Sequence, residues 1–254
     1  MVSFAVFVLG LIVGSFLNAV IYRLEKGESA LQGRSYCPKC RHSLVWYDLI
    51  PLLSFLFLQG KCRYCKEKIS LQYPLVELAT GLLFVSLLLS FPQVPELLYL
   101  WAIASLLLVI FVYDLHHYII PDKILFSAIG LVVLQRVFEA WTFDSWDLTG
   151  VVLSALGAAL LFFLIFLLTR GRAMGFGDVK LAFFMGLFLS WPNILVALFL
   201  AFFLGAAIGV ALIFFKKKDM KSEVPFAPFL ITGTFLALFW GEQLVDWYLS
   251  LVVV

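Results

Sequence analysis

Apolar residues along this chain gather into long runs separated by short polar stretches, and the runs show no alternation of period two, so helices and not strands are expected. A bilayer core about 30 Å thick takes about 20 mostly apolar residues per helix. Eight runs approach that length: 4–22, 74–91, 97–113, 124–141, 150–169, 179–191, 194–215 and 226–253. The sixth is the shortest, and Asp178 and Lys180 at its start can snorkel outward while Leu181 onward is buried. The pattern predicts an all-α polytopic membrane protein of about eight transmembrane helices carrying one small polar loop domain. Its division would be an N-terminal transmembrane anchor 1–22, a loop region 23–73 and a membrane core 74–254. Composition closes off the alternative of a soluble globule, since 63% of residues are hydrophobic and only 13% charged.

Basic residues fall almost wholly on one side of these runs. Residues 23–73 hold nine Lys or Arg, 114–123 hold Lys123, 170–180 hold Arg170, Arg172 and Lys180, and 216–225 hold four, which is 17 of 18. Only Arg136, in the outer half of the fourth run, lies elsewhere. Lys and Arg are retained in the cytosol during insertion, so the N-terminus is expected outside and the four alternate loops inside. The net charge of +2 is then a topology signal, and no nucleic-acid partner is implied. The first run lacks a basic segment before it, and its charges follow at Arg23 and Lys26, so a retained anchor is expected and not a cleaved signal. Gly10, Gly14 and Asn18 recur on one face of that anchor, a spacing that permits close helix packing and one interhelical hydrogen bond.

The loop 23–73 holds all four cysteines, as Cys37-Pro38-Lys39-Cys40 and Cys62-Arg63-Tyr64-Cys65, with 21 residues between the pairs. Each Cys-x-x-Cys turn can bring two thiolates to one ion, and two turns complete the tetrahedral sulfur shell of structural zinc. Two disulfides are the competing pairing, but a cytosolic loop is reducing. Zinc knuckles often carry Gly after the second cysteine, whereas Arg41 and Lys66 stand there. Between the pairs lies the apolar stretch from Trp46 to Phe57, expected to pack on the zinc module or to lie along the inner membrane surface. No Gly-rich nucleotide loop follows a strand anywhere.

Two acids stand out because a carboxylate beside hydrocarbon is costly without a task or a partner. Asp178 ends Gly175-Phe176-Gly177-Asp178 between two apolar runs, and Asp114 ends the third run. Asp122, after Pro121, reads as a first-turn or capping acid of the next helix. Asp114 has no such role, since a helix C-terminus disfavours an anion. Gly175 and Gly177 free the backbone for an extended substrate to pair beside Asp178. Two carboxyls sharing a proton can activate water for attack on a peptide carbonyl. A Gly-rich surface turn with a solvated acid is the plainer alternative. His116 and His117 read as interfacial polar residues, and Glu77, three residues after Pro74, as either a first-turn acid or a functional one.

Taken in order, these residues resemble the bacterial type IV prepilin peptidases, the leader peptidase/N-methyltransferases, over nearly the whole chain. The resemblance is carried by Gly14-Ser15-Phe16-Leu17-Asn18, Ile21-Tyr22-Arg23, the cysteine pairs, Trp46-Tyr47-Asp48, Tyr73-Pro74-Leu75-Val76-Glu77, Asp114 with Pro121-Asp122, Gly175 to Lys180, and Pro225-Phe226-Ala227-Pro228-Phe229. It implies Asp114 and Asp178 as catalytic aspartates, with Gly175, Gly177, Lys180 and Glu77 supporting backbone and substrate. It implies a bacterial inner-membrane enzyme that removes a short basic leader after Gly from prepilins or pseudopilins, then methylates the new N-terminus with S-adenosylmethionine. It implies Zn2+ on Cys37, Cys40, Cys62 and Cys65, placed in a loop that would contribute to methyl transfer. The S-adenosylmethionine site and the oligomeric state stay open. A peptidase without methyltransferase activity, a proton-coupled transporter using the two acids as a relay, and a zinc-stabilised membrane scaffold are the other readings.

Overall fold

The computed structural model describes residues 1–29, 33–142, 148–172, 174–215 and 224–252. The four lysines of 216–221 and most of the segment 142–149, both used above to assign topology, lie outside the described residues. In chain order the helices are α1 (Val2–Lys26), α2 (Leu53–Phe57), α3 (Gln72–Ser90), α4 (Val94–His117), α5 (Asp122–Thr142), α6 (Leu148–Thr169), α7 (Phe176–Leu189), α8 (Asn193–Phe214) and α9 (Ala227–Val252). A 3-10 turn, Trp46–Leu49, precedes α2. Among the described residues the only β pairing is two isolated bridges in the cysteine loop.

Seven of these helices are long and apolar enough to cross a bilayer, which makes the chain a multi-pass membrane protein. The sixth expected run, 179–191, forms α7 with only 14 residues. At 1.5 Å per residue that is about 21 Å, too short to span the hydrocarbon alone. Prolines mark helix beginnings: Pro121 precedes α5, while Pro95 and Pro228 sit in the first turns of α4 and α9. Within the spans Thr80, Ser105, Ser154, Thr169 and Thr234 each donate to the carbonyl four residues earlier, so the hydroxyls are satisfied without water.

The chain resolves into two compact units, Met1–Val109 and Ile110–Val254. In the first, α1 packs along α3. The small-residue face of α1 sets the distance: a Cβ on Gly14 would lie 2.7 Å from Cα of Glu77, and one on Gly10 would lie 2.7 Å from Cα of Gly81. Asn18 Nδ2 supplies the expected interhelical bond, donating to the carbonyl of Tyr73 at 3.1 Å. Gly27 ends α1 in the left-handed region at φ 68°, and its N–H bonds to the last turn. Trp101 of α4 stacks on Phe84 of α3, and its indole N–H donates to the Phe84 carbonyl at 3.1 Å.

In the second unit α7 packs against α5, α6, α8 and α9, so most of its residues are buried. Gly186 brings α6 against it: an added Cβ would lie 2.5 Å from both Cα of Ala155 and the Ser154 carbonyl oxygen. Replacing Gly186 by Leu must therefore push the backbones of α6 and α7 apart, and we expect a loss of roughly 1–3 kcal/mol or more, read as a lower unfolding temperature in detergent. A short helix ending at bilayer depth also leaves carbonyls without partners. Arg136 of α5 supplies them, its guanidinium donating to the carbonyls of Phe188 at 2.9 Å and Leu187 at 3.3 Å and to Ser190 Oγ at 3.1 Å. Glu139 balances its charge at 3.1 Å. The one basic residue outside the charge pattern thus caps α7, where a cation complements the negative end of the helix.

Candidate active site and metal centre

Asp114 lies in the last turn of α4 and Asp178 in the first turn of α7, and both belong to the second unit. They are 5% and 8% exposed, which rules out a solvated surface turn for either. Asp178 closes the turn it terminates, accepting the Gly175 N–H at 3.1 Å while its own N–H donates to the Gly175 carbonyl at 3.2 Å. Asp114 accepts the N–H of Ala227 at 3.2 Å, the first residue of α9. The N-terminus of α9, the positive end of its dipole, is thereby directed at an acid that its own helix end disfavours.

Gly177 packs α7 onto the loop that follows Asp114: a Cβ there would meet the Ile120 side chain at 3.2 to 3.4 Å. Lys180 pairs with Asp122 and lies 5.8 Å from the ring centres of Phe126 and Phe176. Asp122 is thus a first-turn acid of α5, as its position predicts, and it also ties α5 to α7. His116 bonds the Val112 carbonyl within its own helix and His117 rests on Tyr113, which agrees with interfacial polar roles.

Glu77 departs from its expected place. α3 begins at Gln72, two residues before Pro74, so Glu77 stands beyond the first turn and is not a dipole-stabilised end acid. It is buried and accepts the backbone N–H of Leu52 at 2.8 Å. It belongs to the first unit, with the cysteine loop, while Asp114 and Asp178 belong to the second.

The four cysteines converge, their sulfur atoms all within 4.8 Å of one another and Cys37 Sγ 3.9 Å from Cys65 Sγ. Edge distances near 3.8 Å follow from zinc–sulfur bonds of about 2.3 Å in a tetrahedron, so the group can hold one metal ion. Each pair sits in a matching knuckle: Cys37 N–H donates to the His42 carbonyl at 3.0 Å and Cys62 N–H to the Glu67 carbonyl at 2.8 Å. Arg41 and Lys66 stand where Gly is common and adopt its left-handed conformation, at φ 55° and 60°. Burial alone would raise the Cys62 thiol, but N–H groups of Cys65 and Tyr64 and the neighbouring thiols outweigh it and bring it down to about 7. Cys65, although helped by the Glu67 N–H, is pushed up to about 11 by burial and by its three sulfur neighbours. A divalent cation at the centre of the four sulfurs would favour their thiolate forms. Across the knuckles His42 stacks on Tyr64 with ring centres 3.6 Å apart.

Residues 8–91 match the family model of the bacterial peptidase A24 N-terminal domain, and residues 101–210 match that of the type IV leader peptidase family. A prepilin leader peptidase/N-methyltransferase of Bacillus subtilis is 33% identical over 97% of this chain and 98% of its own length. The protein of that name from Aeromonas salmonicida is 30% identical over 98% of this chain and 94% of its own. The chain belongs to the type IV leader peptidase family. It is accordingly a membrane enzyme. A further relative of the same name, from Pseudomonas aeruginosa, is 32% identical over 95% of this chain and 91% of its own length. No solved structure matches the chain. Asp114 and Asp178 fall within the leader peptidase match and the four cysteines within the N-terminal one, whereas Ala227 lies beyond both. Its role as a backbone donor to Asp114 was missed in the sequence, where only Pro225 and Pro228 on either side signalled a fixed chain path.

Proposed function

We propose that the chain removes the short basic leader of type IV prepilins or pseudopilins, cutting after Gly with Asp114 and Asp178, and then methylates the new N-terminus from S-adenosylmethionine. The observation that carries the peptidase reading is the presence of two buried carboxyls on different helices of one compact unit, each held by a backbone N–H. One ionised carboxylate takes a proton from water as it attacks the scissile carbonyl, and the other, protonated, donates to the developing oxyanion. The N–H groups of Gly175 and Ala227 fix where the oxygens face. Gly175 leaves space for an extended substrate backbone beside Asp178, Gly177 seats α7 against Ile120, and Lys180, held by Asp122, keeps the start of α7 in place.

The sulfur cluster fits Zn2+, with Cys37, Cys40, Cys62 and Cys65 as its four ligands and a folding role for the loop around it. Methyl transfer is supported by the name the relatives share and, in the chain, by this folded loop region of 23–73. The deciding experiment incubates the purified protein with a prepilin and S-adenosylmethionine and weighs the pilin N-terminus. A shortened, methylated product supports the whole reading, and an unshortened one refutes the peptidase.

Basic asymmetry supports a topology with Asp114 and Asp178 at the cytosolic face of the bacterial inner membrane and the N-terminus outside. In a variant lacking the native cysteines, a single cysteine at Gln93 should react with an impermeant thiol reagent added to intact cells, and one at Gly27 should not. The reverse pattern would invert the topology.

A further inference from the structure

We propose that residues 46–57 form a wedge whose apolar side chains enter the lipid leaflet next to the cysteine module, so that this loop region is itself a membrane-docking surface. The stretch is not the core of the module. None of the residues of the 3-10 turn or of α2 is buried. Trp46, Leu56 and Phe57 are 77%, 68% and 84% exposed, and Leu53 joins them on the surface. Only the polar side of the stretch faces the metal knuckles: Asp48 accepts from Arg63 Nε at 2.7 Å, and that guanidinium lies 5.0 Å from the Tyr47 ring centre.

Two independent features set this segment at bilayer depth. The first is an anchor. The Leu52 N–H donates at 2.8 Å to Glu77, which lies inside the spanning helix α3 beyond its first turn. Leu52 has φ 57° and ψ −47°, a strained turn geometry at the residue that makes this contact. Leu71 and Leu75, at the same end of α3, are exposed as well and extend the apolar surface. The second is the backbone. The N–H groups of Asp48, Leu53, Ser54 and Leu56 donate to carbonyls of residues 45–52, and those of Leu58, Gln59, Gly60 and Lys61, just after the segment, donate to carbonyls of residues 54–58. Irregular chain tolerates an apolar medium only when its polar groups are satisfied internally.

Charge identifies the occupant as lipid. Lys39, Arg41, Lys61, Arg63, Lys66 and Lys68 are exposed on the module that carries the wedge. A bare apolar patch on a module with exposed cations matches acyl chains beneath anionic headgroups. The flanking helices α1 and α3 are both long and apolar enough to span, so both ends of the loop between them start at the membrane surface.

The test places benzoylphenylalanine at Phe57, or separately at Leu56, in the full-length protein reconstituted in vesicles of phosphatidylethanolamine and phosphatidylglycerol. After irradiation, mass spectrometry of the 46–61 peptide should show adducts of phospholipid mass at both positions. Adducts mainly to a second copy of the chain, or no adduct at all, would overturn the proposal. A second measurement needs no probe residue. Acyl-chain-brominated lipid should quench a fraction of the tryptophan emission in the native chain, and Trp46→Phe should remove some of that quenched signal. If Trp46→Phe leaves the quenched fraction unchanged, Trp46 is not in the leaflet and the wedge is refuted.

Discussion

Asp178→Asn is expected to abolish leader removal while the protein still inserts and folds, lowering the cleavage rate by ~10³-fold or more, and Asp114→Asn should do the same. Both carboxyls are buried and each accepts a single backbone N–H, so an amide fits the same space at small structural cost. What it cannot do is exchange the proton that the proposed chemistry needs. Because the pair works as one unit, the double variant should be scarcely slower than either single one. Chelators and serine-directed reagents should leave cleavage largely intact. Asp122 is the internal comparison: it is exposed and paired with Lys180, so Asp122→Asn should loosen the start of α7 and retain most activity. Mass spectrometry of a prepilin after timed incubation gives all four rates. If Asp178→Asn processed substrate near normally while Asp122→Asn did not, the assignment of the acids would be wrong.

Losing the metal, or replacing Cys37 or Cys62 by Ser, is expected to unfold the knuckles and to abolish methylation with a much smaller effect on cleavage. Structural zinc contributes about 10–16 kcal/mol of apparent binding free energy in small peptides, a large share of what holds a loop of this size. The sulfur cluster is the shared centre of both knuckles, while the acids stand in the other compact unit. Cys37 and Cys62 are buried whereas Cys40 and Cys65 are exposed, so substitutions at the first pair should be the more damaging. Limited proteolysis should then cut within 35–68 while the spanning helices stay protected, and the matured pilin should carry an unmethylated N-terminus. A fully methylated product from metal-free protein would separate the loop from methyl transfer.

How far the sequence could be read follows from the range over which each feature acts. Span positions, the Gly10, Gly14 and Asn18 seam and the two cysteine knuckles are local or nearly so. A run of apolar side chains must leave water whatever it packs against, and a Cys-x-x-Cys turn presents two sulfurs by its own geometry. The two acids were also visible, because each breaks an apolar pattern where a charge is costly. What the sequence withheld lies between distant segments. The shortness of α7 was legible, but not its end: 179–191 reads as one run, yet the helix stops at Leu189, where Arg136 of another helix receives its carbonyls. Glu77 looked like a helix-start acid because Pro74 is close, yet its partner is a backbone N–H 25 residues earlier. Arg41 and Lys66 looked unsuited to knuckles, but longer side chains can take the left-handed conformation when surrounding contacts outweigh its cost of about 1–2 kcal/mol. Sequence by itself determined which segments are apolar enough to enter the membrane and that four cysteines could gather on one ion, since burial and ligand type depend on composition and short spacing. Only the tertiary structure decided that Asp114 and the N-terminus of α9 meet, because contacts across 113 residues are set by how whole helices pack.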